Sequence, residues 1–123
     1  MNPYASPQAY RASSVMTASP GQLVVMLYDG AGRFLRQAEI AAEEGAWRHA
    51  LDRLDKADAI VDELLVTLNT EQGGDLAERL QGIYVFCKRL MIEVRVERDV
   101  EKIRKTASLL ADLREAWAEI ATA

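Results

Sequence analysis

A strongly marked helix start is the feature that most restricts the fold of this chain. Ser19 stands directly before Pro20, and Gln22 follows three residues after the serine. A serine here accepts a hydrogen bond from the free N–H groups of a first helical turn, and the glutamine reaches back to complete a capping box. Proline suits the first helical position, because its missing N–H would have no partner there. The sequence therefore predicts a helix that begins at Pro20.

Four amphipathic segments follow from this start. Their apolar residues are spaced by three and four, which is typical of helices that bury one side. The first two helices are predicted over about residues 20–43 and 46–69. Gly45 and the turn at 72–74 interrupt the chain, and Asp75 and Asp99 stand where they can cap a third and a fourth helix.

The predicted core consists of one apolar stripe on each helix. In chain order the stripes are Leu23, Leu27, Gly30, Phe34 and Ala41, widened by Val24, Ala31, Leu35 and Ala38; Trp47, Leu51, Leu54, Val61, Leu65 and Leu68; Leu76, Leu80, Ile83, Cys87, Leu90 and Val94; and Val100, Ile103, Ala107, Leu110, Leu113, Trp117 and Ile120. Four similar lengths joined by short connections favour an all-α fold, an antiparallel up-down four-helix bundle.

Residues 1–18 differ from the bundle, which is predicted over residues 19–123. They contain a single charged side chain, Arg11, and two prolines that would interrupt a long helix. We expect a short, semi-ordered N-terminal arm. Two interpretations stay open: a frayed terminus, or an arm that docks on the bundle through Tyr4 and Tyr10.

The composition excludes several classes of protein. Half of the 123 residues are apolar and the formal net charge is −4, with no basic run, so nucleic acid is not an expected partner. The longest uncharged run is too polar for insertion into a membrane. A single cysteine, Cys87, excludes an internal disulfide. These features favour a single domain in the cytoplasm.

The sequence offers little for catalysis or cofactors. The only histidine, His49, stands at the start of the second helix, where a surface or capping role is the simplest interpretation. Neither it nor Cys87 has the neighbours that a metal or haem site requires, so we expect no metal and no cofactor. Cys87 falls on an apolar stripe and is interpreted as a buried hydrophobic residue. The chain is not expected to be an enzyme.

Polar and small residues within the helices leave further questions. Gly30 and Gly32 are interpreted as points of close helix contact. Asp29 has two interpretations: an ion pair with Arg33 at i+4, or a polar anchor beneath the arm. The acids of the second helix are expected to form a solvated face; they are Asp52, Asp55, Asp58, Asp62 and Glu63. Surplus apolar residues on the second and fourth helices predict either a thick core or a groove for a partner helix.

Three stretches of the sequence resemble the flagellar secretion chaperones of the FliS family, which serve flagellin. These are the run 15–20 before and at the helix start, the string 27–35 with its Leu-Tyr-Asp-Gly-Ala motif, and the Leu-Arg-Glu-Ala-Trp motif at 113–117. The opening Asn2-Pro3-Tyr4, Tyr10, Arg98-Asp99 and Leu109-Leu110 are also similar. The likeness extends over nearly the whole chain in the same order.

The resemblance implies a cytoplasmic export chaperone. Such a protein binds the disordered C-terminal segment of flagellin, prevents premature polymerisation and assists delivery to the export apparatus. The export gate and a regulatory partner are further expected partners. A disordered segment loses conformational entropy when it docks, and burial of apolar area offsets that loss.

We expect client-binding residues in the arm, near the Tyr-Asp motif and on the apolar stripes. They are Tyr10, Val15, Tyr28, Asp29, Val61, Leu65 and Leu109. Without a client, the arm is expected to lie as a lid over the groove. The free chain is expected to be a monomer or a weak homodimer. The alternative function is a structural helical bundle that associates with itself and has no flagellin client.

Overall fold

Four helices and no strand make up the described part of the chain. The computed structural model describes residues 19–68 and 70–122, and the side chains within 19–68 and 74–118. The helices are α1 (Pro20–Glu43), α2 (Trp47–Thr67), α3 (Thr70–Glu97) and α4 (Val100–Thr122). The predicted N-terminal arm lies outside the described residues.

The start and the end of α1 follow from the local sequence. The Gln22 backbone N–H donates to Ser19 Oγ at 3.2 Å, and the Ser19 N–H donates to Gln22 Oε1 at 2.9 Å. The predicted capping box is therefore confirmed, with Pro20 in the first turn. Gly45 has a φ of +77° just beyond the helix, a left-handed conformation that glycine adopts without strain.

The connection between α2 and α3 differs from the prediction. Helix α2 ends at Thr67, and Leu68 is already extended with a ψ of 124°, so the helix does not continue to 69 as expected. Helical backbone resumes at Thr70, before the glycines, and Gly74 interrupts it with a φ of 55° and a ψ of −135°. The break therefore falls at the last residue of the predicted turn, and the uninterrupted part of α3 follows it.

Helices α3 and α4 are joined by a tight turn. Arg98 ends α3 with a φ of 54°, and its N–H donates to the Val94 carbonyl at 2.7 Å. Glycine is the usual residue in this left-handed capping position, so an arginine here is held with some strain. Asp99 Oδ1 then accepts from the Glu101 N–H at 2.9 Å, which confirms the predicted cap of α4.

Contacts between neighbouring helices join residues in opposite chain order. They are Gln37–Arg53 and Gly30–Ile60 between α1 and α2, Asp55–Arg95 and Asp62–Lys88 between α2 and α3, Phe86–Lys105 and Glu97–Lys102 between α3 and α4, and Asp29–Arg114 and Glu43–Arg104 between α1 and α4. Each helix thus runs against its neighbour, and α1 lies beside both α2 and α4. The predicted four-helix bundle is confirmed.

The core sits between the four helices and is rich in alanine. Its fully or nearly fully buried apolar members include Tyr28, Ala31, Leu35, Ala38 and Ala41 on α1; Ala50, Leu54, Ala57, Val61 and Leu64 on α2; Leu80, Tyr84, Cys87, Met91 and Val94 on α3; and Ile103 and Leu110 on α4. Helix α1 packs most closely against α2 and α4. Small side chains allow this, since they let helix backbones approach.

Each helix has an apolar buried side, as predicted, but on some helices that side is rotated away from the predicted stripe. On α2 the buried side is centred on Leu54, Val61 and Leu64, while the expected Leu65 is only partly buried. On α3, Leu76 is 60% exposed, against expectation. The expectation of a close helix contact is confirmed at Gly30, where an added Cβ would lie 3.2 Å from Ile60 Cδ1. It is wrong for Gly32, where an added Cβ would meet nothing within 4 Å.

Candidate functional site

A groove runs between α2 and α3 on the surface of the bundle. Its floor is apolar and its rims are charged; the lining residues are Asp55, Asp58, Ala59, Asp62, Lys88, Met91, Ile92 and Arg95. We call it the α2–α3 groove. The acidic residues come from α2 and the basic residues from α3, so the two rims carry opposite charge.

Ion pairs cross this groove. Lys88 Nζ lies 2.8 Å from Asp58 Oδ1 and 2.6 Å from Asp62 Oδ1, and Arg95 pairs with Asp55. Partial burial by itself lowers the pKa of Lys88, but the hydrogen bonds to the two aspartates outweigh this effect and the pKa is raised.

The acids of the second helix are exposed as expected, except that Asp58 is partly buried. Three of its acids connect α2 to α3. Partly exposed pairs of this kind contribute about 0–1 kcal/mol each, so they guide the packing of α3 more than they stabilise it.

The outer side of α3 carries exposed apolar residues. Val85, Ile92 and Val96 are 48%, 59% and 79% exposed, and their spacing of seven and four places them along one side of the helix. That side points away from the buried residues of α3, which include Tyr84 and Cys87. Ile92 also lines the α2–α3 groove. Ile92 thus connects this apolar side of α3 with the edge of the groove.

These three residues were not among the predicted site residues. Only one apolar stripe was predicted on the third helix, and it was assigned to the core. The signal was present, because Val85, Ile92 and Val96 repeat with the same period on a different side of the helix. A helix that is apolar on two sides has either a second buried contact or an exposed binding surface.

The structure places the predicted site residues at three different depths. Tyr10 and Val15 lie outside the described residues. Tyr28 and Val61 are buried, at 2% and 0% exposed, so a partner reaches them only if helices separate. Leu65 on α2 and Leu109 on α4 are partly buried and pack against the core.

Asp29 lies at the interface between α1 and α4. Its Oδ1 accepts from Arg114 Nε at 2.9 Å, and both side chains are partly exposed. The predicted partner at i+4, Arg33, is therefore not the one seen; the aspartate bonds a residue 85 positions along the chain. Sequence spacing within one helix cannot reveal such a partner.

The core of the bundle contains a pair of hydrogen-bonded tyrosines. The hydroxyls of Tyr28 on α1 and Tyr84 on α3 hydrogen-bond to each other, and their rings lie 6.3 Å apart at 47°. Burial raises the pKa of Tyr28, and the Tyr84 hydroxyl adds to the rise, while Trp117 opposes part of it. The pKa of Tyr84 is also raised, mainly by burial. The pair joins two diagonally opposite helices in the middle of the bundle.

Catalytic and metal-binding features are scarce in the described residues. Cys87 is a free, buried cysteine, as expected, and burial raises the pKa of its thiol to about 11, so it is unreactive near neutral pH. His49 is exposed. Across the ranges 19–68 and 70–122 no cluster of three or more His, Cys, Asp and Glu residues could hold a metal ion. Nor does any helix there have the length and apolar character to span a membrane.

Comparison with known proteins identifies the family. The family model described as flagellar protein FliS matches residues 2–123. The chain belongs to the FliS family of flagellar secretion chaperones. This is a family of chaperones rather than enzymes, which agrees with the resemblance found in the sequence.

Relatives from distant bacteria support the assignment. The flagellar secretion chaperone FliS of Salmonella typhimurium is 36% identical over 109 residues, covering 88% of this chain and 81% of the relative. The protein of the same description from Bacillus subtilis is 33% identical over 116 residues, covering 94% and 84%. A crystal structure of a bacterial flagellar chaperone superposes with a TM-score of 0.77 at 23% identity, covering 92% of this chain and 94% of that one. That structure supports the fold.

Proposed function

We propose that this protein is a cytoplasmic export chaperone that binds the disordered C-terminal segment of flagellin. It keeps the segment from polymerising early and helps to deliver it to the export apparatus. The observation that carries the proposal is the exposed apolar side of α3 beside the α2–α3 groove, in a chain of the flagellar secretion chaperone family.

The exposed apolar residues suit a helical client. Val85, Ile92 and Val96 are spaced so that an amphipathic segment can lay its apolar side along α3. Each Å² of apolar area that the client covers contributes roughly 25 cal/mol to binding. This contribution offsets the conformational entropy that a disordered chain loses when it becomes ordered. A segment that folds on binding can cover a large surface without a deep pocket.

The charged rims give the groove a direction. Asp55 and Asp62 line the α2 side, while Lys88 and Arg95 line the α3 side. These charges pair with one another in the free protein. A client helix with basic residues toward α2 and acidic residues toward α3 can replace those partners, whereas the reverse orientation brings like charges together. The rims therefore select the orientation of the client more than its affinity.

The N-terminal arm and two partly buried leucines complete the proposed site. Leu65 and Leu109 stay assigned to client contact, because both are partly accessible at the edges of the core. Residues 1–18 are proposed to shield the apolar surface in the free protein, with Tyr10 and Val15 as the covering side chains. The client then displaces the arm. The competing proposal is that Tyr10 contacts the client directly.

Calorimetry with a synthetic flagellin C-terminal segment tests the function. We expect binding with a negative heat-capacity change, the mark of apolar burial. The substitution Ile92→Ser is expected to weaken binding roughly tenfold, since it removes an exposed apolar side chain that the client covers. Ile40→Ser is the matched control: Ile40 is 45% exposed on α1, and its loss is expected to leave the affinity unchanged.

The possible outcomes test the chaperone function and the location of the client-binding surface separately. Absence of binding by the wild-type chain contradicts the chaperone function itself. Binding that is unchanged by Ile92→Ser, or weakened equally by both substitutions, contradicts the assignment of the client to this surface. Circular dichroism of both variants checks that the helices are intact.

A further inference from the structure

The end of the bundle where α1 turns into α2 and α3 turns into α4 carries an open pocket. It is lined by residues 45–49, by Asp52 and by Arg98, none of which lines the α2–α3 groove. We call it the end pocket. Its volume of about 720 Å³ falls within the range of about 300–1,000 Å³ that is usual for ligand sites. A single ion would fill only a small part of it, so the end pocket suits a larger occupant.

Basic side chains line the end pocket, although the chain as a whole has a net charge of −4. Arg48, His49 and Arg98 are exposed there, and the only acid among the described lining residues is Asp52. Asp52 already has a partner, since its Oδ2 accepts from Arg53 Nε at 3.0 Å. Within the part of the chain whose side chains are described, neither Arg48 nor Arg98 makes an ion pair. Both guanidinium groups are therefore available to an acidic ligand.

Trp47 positions the guanidinium group of Arg98. The Arg98 Cζ atom lies 5.9 Å from the centre of the Trp47 ring, a cation–π contact between the two turns. An aromatic ring attracts the cation but offers no carboxylate oxygen, so the N–H donors of Arg98 stay free for a ligand. A guanidinium held in this way can bind a carboxylate through two parallel hydrogen bonds. Tryptophan and arginine are also the residues that most often dominate the binding energy at protein interfaces.

The backbone at Arg98 supports a role for its side chain beyond the fold. Its φ of 54° is a left-handed conformation, which glycine adopts without strain and arginine does not. A glycine in this position would end α3 at least as well. Strained residues are concentrated at binding and active sites, where the side chain has a function that offsets the strain. The strain at Arg98 is thus in keeping with a side chain that binds a partner.

We propose that the end pocket is a docking site for an acidic segment of a partner protein. Arg98 and Arg48 bind carboxylates of the segment, and the accessible part of the Trp47 ring packs against its aliphatic carbons. The volume of the pocket favours several residues of a chain over a lone anion, and the two arginines without acidic partners favour acidic residues over others. The inference goes beyond the proposed chaperone function and does not depend on it, because the residues of the α2–α3 groove take no part.

Nuclear magnetic resonance of the full chain with a synthetic peptide tests the proposal. The probe is the peptide Gly-Glu-Glu-Leu-Glu-Glu-Gly, and its matched control has glutamine in place of each glutamate. The chain has two tryptophans: Trp47 lines the pocket, and Trp117 lies about 25 Å further along the bundle on α4. The acidic peptide is expected to shift the indole N–H signal of Trp47 with a dissociation constant below about 1 mM at low salt, and to leave that of Trp117 unchanged. The glutamine peptide is expected to shift neither signal.

Substitutions of single arginines separate binding from stability. Arg98→Gly removes the guanidinium group and is expected to weaken binding of the acidic peptide roughly tenfold. Its urea midpoint is expected to stay close to that of the wild type, because relief of the left-handed backbone offsets the lost contact with Trp47. Arg48→Gln is expected to weaken binding roughly threefold. Arg36→Gln removes an exposed arginine on α1 and is the matched control, expected to leave binding unchanged.

An acidic peptide that leaves the Trp47 signal in place overturns the proposal. So does equal binding of the glutamine peptide, or a variant Arg98→Gly that loses stability but binds the peptide like the wild type. Inorganic phosphate serves as a competitor: if an equal concentration of phosphate displaces the peptide, the pocket is a general anion site and the assignment to a peptide is wrong. No flagellin segment enters these measurements, so their failure leaves the client-binding proposal untouched, and failure of client binding leaves the end pocket untouched.

Discussion

The buried tyrosine pair yields the sharpest prediction about stability. Tyr28 and Tyr84 are 2% and 1% exposed, and each hydroxyl is satisfied by the other. Tyr28→Phe removes one hydroxyl and leaves the Tyr84 hydroxyl buried without this partner, which costs about 1–3 kcal/mol. Tyr84→Phe is expected to cost less, because the Tyr28 hydroxyl keeps its hydrogen bond with Trp117.

The double variant distinguishes a hydrogen bond from simple loss of packing. When both tyrosines become phenylalanine, no unpaired hydroxyl remains, so the double variant is expected to be at least as stable as the less stable single one. The coupling free energy is then about 1–2 kcal/mol. Urea unfolding followed by circular dichroism at pH 7, with unchanged m values, gives these numbers. Losses that simply add in the double variant would refute the reasoning.

Three further predictions concern the core, the pH dependence and the arm. Leu54→Ala is expected to lower the free energy of unfolding by about 2–5 kcal/mol, because Leu54 is fully buried. Leu113 is only partly buried, so Leu113→Ala is expected to cost less. Equal losses of the free energy of unfolding in urea would contradict this. The pKa of Cys87 is raised to about 11, so the folded state favours the protonated thiol. The contribution of this thiol to the free energy of unfolding is complete below pH 9 and is lost as the pH rises toward 11. Tyr28, whose pKa is also raised, acts in the same direction above pH 10. Urea midpoints between pH 8 and 11 should therefore fall, and a flat profile would count against burial of these groups. Removal of residues 1–14 is expected to tighten calorimetric binding of the flagellin segment and lower solubility, as a lid requires; weaker binding would instead favour direct contact by Tyr10, and no change in either would return the arm to a frayed terminus.

Helix boundaries could be predicted from the sequence where they depend on a few adjacent residues. The cap at Ser19, the left-handed Gly45 and the cap at Asp99 depend on residues within three positions of each other, and all three are as expected. The break between α2 and α3 was located less well, because two adjacent glycines allow a turn at either one and only the packed chain selects Gly74.

The candidate surface was only partly predictable, for two physical reasons. Apolar spacing shows that a helix has a buried side. A neighbouring stripe with the same period, however, fits the sequence almost as well as the stripe that is buried. This explains why Leu65 was placed ahead of Leu64 and why Ile92 was overlooked. Contacts between distant residues, such as Tyr28 with Tyr84, leave no trace in spacing along one helix, since they depend on how four helices meet.

The unequal packing of the helices has a consequence for motion. Helix α3 packs less closely against its two neighbours than α1 packs against α2 and α4, and pairs such as Asp55–Arg95 and Glu97–Lys102 connect its flanks through water-exposed charges. Segments with a low local contact density open first and most often in native-state fluctuations. Amide protons of α3 should therefore exchange with solvent sooner than those of α1. The helix that offers the outward apolar face is thus also the one that can tilt or part from its neighbours while the other three stay folded together.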